Sequence, residues 1–198
     1  MATQVHVLVF DGFADWEPAH ALAELRRWGH HEVVAVGFTE QAVTSMGGLR
    51  VLPDRTLDNV QGDEVRILII PGGDLWERED GYPRAEFEQL LARVIAAGRP
   101  IAAICGATLA LARAELLDTR RHTSNALSYL SEMVPSYRGE AQYEPTLAVR
   151  DQGIITASGL GAVDFAREIF AELGLFSAPD AAMWFDMFKH GKLPATVT

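Results

Sequence analysis

The sequence predicts an α/β fold: a three-layer sandwich with a mostly parallel central sheet and helices on both faces. Three observations carry that expectation. The apolar runs Val5–Phe10, Val65–Ile70 and Pro100–Ile104 are short and lack the polar alternation of half-exposed strands, so they read as strands buried on both faces. Segments with helical character fall between them, the alternation that builds a parallel sheet. The chain has 198 residues, 48% hydrophobic and 22% charged, enough to enclose a core without disulfide or metal staples. A single domain over residues 1–198 is expected.

Val5–Phe10 is the first strand. Trp16–Trp28 follows as a helix, with Ala19, Leu22, Ala23 and Leu25 as its apolar stripe and Gly29 as its stop. Glu32–Phe38 is a second strand, and the glycines of Met46-Gly47-Gly48-Leu49 suit a hairpin turn. Val65–Ile70 runs into Pro71-Gly72-Gly73. Pro83 fits the first turn of a helix that reaches Ala97, with Gly98 at its end. Pro100–Ile104 leads through Cys105 into a small-residue helix, Ala107–Ala114. Arg121–Ser124 is read as a strand and Leu127–Met133 as a helix. Thr146–Arg150 and Gly153–Thr156 form a hairpin around Asp151-Gln152, and helices over Gly159–Leu173 and Asp180–Lys189 close the chain.

Charge and cysteine usage narrow the function. With 17 basic and 27 acidic residues the net charge is −10, a field that repels nucleic acid and anionic membrane surfaces. The densest basic cluster, Arg120-Arg121-His122, is too short to reverse it. The weakly polar stretch from Ile101 to Ala112 falls short of the ~20 residues a membrane span needs. Met1-Ala2-Thr3-Gln4 has no basic region, and Val5–Phe10 soon meets Asp11, unlike an export signal. With one cysteine, Cys105, there is no intrachain disulfide or multi-cysteine metal site, and a reducing cytoplasm is the expected compartment. No metal or organic cofactor is expected.

Ligands of open α/β sheets gather at the carboxyl ends of the strands. At one such end, Ile104-Cys105-Gly106-Ala107 sets a thiol between a buried strand and a helix, flanked by residues too small to clash. That is the pattern of a nucleophile elbow. A helix N-terminus at the thiol predicts a lowered pKa. The plainer reading is a cysteine that only fills space. At a second end, Pro71-Gly72-Gly73-Asp74 lets backbone N–H groups approach a ligand, and Gly73 with Gly106 makes a candidate oxyanion hole. Two glycines that only turn the chain are the plainer alternative. The third end carries Asp11, Asp15 and Glu17, acids equally suited to capping the following helix. Trp16 and Trp76 flank two of these ends as possible walls of an apolar pocket, although large aromatics beside loops are more often core. Gly159-Leu160-Gly161 lacks the rest of a dinucleotide fingerprint and reads as tight packing near the cysteine. Trp184, Phe185 and Phe188 form a packing or dimer-contact stripe.

Gly12 to Glu17, Ile70-Pro71-Gly72-Gly73, Ala103-Ile104-Cys105-Gly106-Ala107 and Thr156-Ala157-Ser158-Gly159 together resemble the DJ-1/PfpI (ThiJ) family. This family lies within the flavodoxin-like class I glutamine-amidotransferase fold, and the resemblance runs over about residues 4 to 175. It implies that Cys105 is the elbow cysteine, that Glu17 is the acid hydrogen-bonded to it, and that the Gly73 and Gly106 amides line an anion site. It also implies a homodimer. Reported family activities include glyoxalase-type conversion, peptidase or amidase action and isonitrile hydration, beside roles in stress response and redox sensing. The family's histidine position falls on Asn125. His122, three residues earlier, faces the other way on a strand, and its plainer reading is a surface or interface histidine. His20 lies one turn after Glu17. Without a base, Cys-His peptidase chemistry is disfavoured. Glutaminase activity is disfavoured too, because the late His-x-Glu pair is replaced by His190-Gly191-Lys192.

The expected function is therefore a cysteine enzyme acting on a small electrophile, foremost glyoxalase-type conversion of α-oxoaldehydes. The alternatives are isonitrile hydration and a non-enzymatic sensor in which Cys105 is oxidised. A vestigial site in a structural protein is the plainest reading.

Overall fold

The structure, a computed structural model, describes residues 3–193. Met1 and Ala2, read above for an export signal, and residues 194–198 of the expected domain lie outside the described residues. The chain forms β1 (Gln4–Val9), α1 (Trp16–Arg27), β2 (Val33–Gly37), the two-residue strands β3 (Val43–Thr44), β4 (Arg50–Val51) and β5 (Arg55–Thr56), and β6 (Val65–Ile70). Then follow α2 (Arg84–Ala96), β7 (Ile101–Ile104), α3 (Ala107–Arg113), α4 (Leu127–Met133), β8 (Ala148–Asp151), β9 (Ile154–Ala157), α5 (Ala162–Leu173) and α6 (Ala178–His190).

Seven strands pair in the order β5-β2-β1-β6-β7-β9-β8, all parallel except β8, which runs antiparallel to β9. The apolar runs explain this arrangement. Ile67 to Ile70 and Ile101 to Ile104 are wholly buried, which a sheet allows only when helices cover both faces. The steps β1 to β2 and β6 to β7 move in opposite directions along the sheet, so right-handed crossovers place α1 and α2 on opposite faces. α5 packs against α1 with α6 outside it, and α3, buried at all seven residues, lies against β7. Strand order reverses between β1 and β6, which opens a crevice at their carboxyl ends.

Several expectations are corrected. The stripe expected on α1 is misplaced: Ala19 and Ala23 are exposed, while Glu17, Pro18, Ala21, Glu24 and Leu25 are buried. Position 17 faces inward because its carboxyl has partners inside, as described below. Asp11 and Asp15 do not cap α1 with their side chains. Asp11 Oδ1 accepts from the Thr44 N–H at 2.8 Å and Asp15 Oδ2 from the Ser45 hydroxyl at 2.6 Å. These bonds tie the β3–β4 hairpin to the loop after β1. Residues 121–124 form no strand; only an isolated bridge joins His122 to Tyr143. The Thr123 N–H donates instead to Thr156 Oγ1 at 2.8 Å. Gly159–Gly161 is a turn, closed by the Gly161 N–H on the Ser158 carbonyl, so α5 starts at Ala162.

Candidate active site

Cys105 sits where β7 ends and α3 begins, with φ of 58°, left-handed backbone that a non-glycine residue adopts at a cost of about 1 kcal/mol or more. Its surroundings hold it there. The Cys105 N–H donates to the Ala157 carbonyl at 2.9 Å, and its own carbonyl accepts from the Thr108 N–H at 3.1 Å and the Thr108 hydroxyl at 2.7 Å. Glycines make room: a Cβ on Gly72 would stand 2.7 Å from the Cys105 Cβ, and one on Gly159 would stand 3.0 Å from Sγ. Gly159 is thus the close-packing residue expected from the sequence.

Glu17, on the first turn of α1, is 1% exposed. Its Oε2 accepts from the Gly72 N–H at 2.6 Å, and the carboxyl stands beside the Cys105 thiol, both packed against Gly72 and Gly159. Burial raises the Glu17 pKa to about 7, with the bonds from Gly72 and Cys105 opposing the rise. The Cys105 thiol is also pushed up, first by burial and then by the charge of Glu17, which the donors Asn125 and Gly106 only partly offset. The expected depression of the thiol pKa is thereby corrected. Withdrawal from water and an acid at contact outweigh the favourable end of α3.

Asn125 occupies the expected place beside the thiol. Its Nδ2 donates to Sγ at 3.3 Å and its Oδ1 accepts from the Gly159 N–H at 2.9 Å. Buried hydroxyls anchor its loop from below: Ser124 bonds Thr108 at 2.7 Å, next to the Thr123–Thr156 bond. His122 is turned away and is no part of the pocket. It is fully buried, with Nε2 2.6 Å from the Tyr137 hydroxyl and Nδ1 2.7 Å from the Arg120 carbonyl. Its burial also excludes the surface reading. His20 packs by its ring against Trp184 and Phe188.

A cavity of about 120 Å³ opens over the thiol, lined by Trp16, Glu17, Gly73, Cys105, Gly106 and Asn125, all singled out from the sequence. Ala14, Met46, Asp74, Glu77 and Tyr129 complete the lining and were not anticipated. The Tyr129 hydroxyl donates to Glu77 Oε1 at 3.2 Å. Besides His122, two pocket expectations fail. Trp76 is fully buried in an aromatic cluster with Phe10, Tyr82 and Phe87, its indole N–H donating to the Pro71 carbonyl. Gly72 lies beneath the thiol, where it holds Glu17 rather than lining the cavity. Gly73 does line it, and its lack of a side chain matters because a Cβ there would stand 2.7 Å from the Phe10 ring. No group of three or more His, Cys, Asp or Glu converges to hold a metal among the described residues, and no helix among them is long and apolar enough to cross a membrane.

The profile of the DJ-1/PfpI family matches residues 3–172. Among curated relatives, the uncharacterized protease YoaZ of Bacillus subtilis is 35% identical over 96% of this chain and 92% of its own. Deglycase PfpI of Pyrococcus furiosus is 32% identical over 57% and 66%. Among solved structures, the DJ-1 superfamily protein Atu0886 of Agrobacterium tumefaciens superposes with a TM-score of 0.87 at 36% identity, covering 96% of this chain and all of the other. A thiJ/pfpI family protein of Bacillus anthracis gives a TM-score of 0.87 at 34% identity, over 97% and 92% of the two chains.

Proposed function

Since the chain belongs to the DJ-1/PfpI family, we propose that it is a cysteine-dependent enzyme that converts small α-oxoaldehydes to 2-hydroxy acids. The observation that carries this reading is the buried Glu17 carboxyl, which stands beside the Cys105 thiol at the floor of a small cavity. An acid whose pKa is about 7 is matched to moving protons near neutral pH. As the thiol sulfur bonds to the aldehyde carbon, Glu17 takes the thiol proton and returns it to the carbonyl oxygen, giving a hemithioacetal. Gly73 and Gly106, both in the cavity lining, are assigned as the residues whose amides stabilise the developing oxyanion. Glu17 then moves the proton from the former aldehyde carbon to the neighbouring ketone carbon, while the hemithioacetal hydroxyl proton passes to the ketone oxygen. The first carbon is oxidised to a thioester while the second is reduced to an alcohol, so no external oxidant is consumed. Water cleaves the thioester, and the 2-hydroxy acid leaves with the thiol restored.

Several relatives are named deglycases. Two others are named uncharacterized proteases, but here Asn125, which cannot serve as a base, stands beside the thiol. The test is methylglyoxal turnover by the wild type, Cys105→Ala and Glu17→Gln. The reading predicts turnover that both substitutions abolish, and a wild type no faster than Cys105→Ala would sink it. A second reading rests on the Asn125 and Gly106 donors at the sulfur, which suit an oxidised thiol as well. Intact mass after mild peroxide tests it, and a Cys105 that gains no oxygen excludes it.

A further inference from the structure

The cavity over Cys105 is bounded by three carboxyl groups and by no lysine, arginine or histidine. Glu17 is at its floor, while Asp74 and Glu77 are exposed on the short 3-10 turn that follows Gly73. The Tyr129 hydroxyl, donating to Glu77, holds that carboxylate at the cavity wall. A space of about 120 Å³ equals roughly four water volumes of ~30 Å³. Whatever reaches the thiol passes through a small space whose lining includes these carboxylates.

We propose that Asp74 and Glu77 form a charge filter at the mouth of the thiol cavity, which admits uncharged electrophiles and turns away anionic ones. Among carbonyl compounds the filter selects neutral α-oxoaldehydes over 2-oxo acids such as glyoxylate. It rests on the reading of Cys105 as a reactive thiol and adds a consequence to the proposed reaction. An uncharged aldehyde plus water becomes a 2-hydroxy carboxylate plus a proton, so the product carries the charge that the substrate lacks. The same two acids that ignore the substrate repel the product, and release is favoured.

Because Cys105 is the only cysteine, alkylation reads the filter without any turnover. Iodoacetamide and iodoacetate are near in shape and differ by one negative charge. The rate ratio of the neutral to the anionic reagent is measured for the intact protein and for 2-mercaptoethanol. In low salt the protein's ratio is expected to exceed that of the free thiol by about tenfold, the order of like-charge repulsion in a partly solvated site. It should shrink as salt is added and fall by most of that factor in Asp74→Asn/Glu77→Gln. Asp63→Asn, which removes a single charge at the opposite end of β6, should leave it in place. A wild-type ratio equal to that of 2-mercaptoethanol, or an Asp63→Asn effect as large as the double substitution's, overturns the filter. Methylglyoxal turnover separates the two readings. Turnover with an alkylation ratio no higher than that of 2-mercaptoethanol removes the filter and leaves the enzyme, whereas an intact alkylation ratio with no methylglyoxal consumed removes the proposed reaction and leaves the filter.

Discussion

Replacing Glu17 by glutamine should alter stability by an amount that depends on pH. The carboxyl ionises near 4.5 in the unfolded chain and near 7 in the fold, where it is 1% exposed. A group with a raised folded pKa contributes its full stability below the unfolded value, and that contribution is lost as pH rises through the folded one. The rise from 4.5 to about 7 makes the ionised side chain cost about 3 kcal/mol at pH 8. Glutamine keeps an acceptor for the Gly72 N–H and never ionises, so the variant escapes this cost. Urea unfolding at several pH values provides the assay. Glu17→Gln should match the wild type near pH 4.5, gain progressively toward pH 7, and lead by about 3 kcal/mol at pH 8. For a chain of this size that is roughly 6–12 °C in melting temperature. Burial is the largest cause of the shift, so the same gain should be found on a Cys105→Ala background. A stability difference that stays constant from pH 4.5 to 8 would refute the assignment of Glu17 as a buried carboxyl with a raised pKa.

Three further outcomes follow from the same geometry. If Glu17 takes the thiol proton, kcat/KM for methylglyoxal should rise with pH through about 7 and level off, and Glu17→Gln should show no such inflection in any residual activity. Gly72→Ala drives a methyl against the Cys105 Cβ and Glu17 Oε2, so thermal unfolding should show a loss of about 1–3 kcal/mol, with turnover falling as the pair separates. Tyr137→Phe strands the buried His122 Nε2 and should cost about 1–3 kcal/mol in denaturant unfolding while methylglyoxal turnover persists; lost activity in a folded variant would return His122 to the site.

The sheet and the elbow were legible in the sequence because both are local. Val65 to Ile70 has no polar alternation, and Cys105 stands between a strand and a run of small residues. The inward face of α1 was misread because apolarity was counted. Pro18, Ala21 and Leu25 mark the buried side, but two glutamates share it, and the partners that make Glu17 acceptable there lie 55 residues away at Gly72. Trp76 was placed at the pocket because it follows Gly73, yet the 3-10 turn sends its ring into the core and leaves Asp74 and Glu77 on the outside. Met46 reaches the cavity only because Asp11 and Asp15 tie down its hairpin, and Tyr129 only because α4 is set by the loop that also carries Asn125. Such long-range placements leave no periodicity to read.

The central position of β1 bears on how the protein is made. Emerging from the ribosome, β1 meets β2 within about thirty residues, but its other edge waits for β6, β6 in turn waits for β7, and β7 for β9. The thiol's setting draws on residues from Ala14 to Gly159, so it closes only after most of the chain has been synthesised. Until then the nascent chain carries an open strand edge beside strongly apolar segments, a period in which it is exposed to misassociation and in need of protection. A chain cut short before Gly159 would bear the cysteine without the carboxyl, amide and asparagine arrangement around it, so partial products of synthesis carry an ordinary thiol.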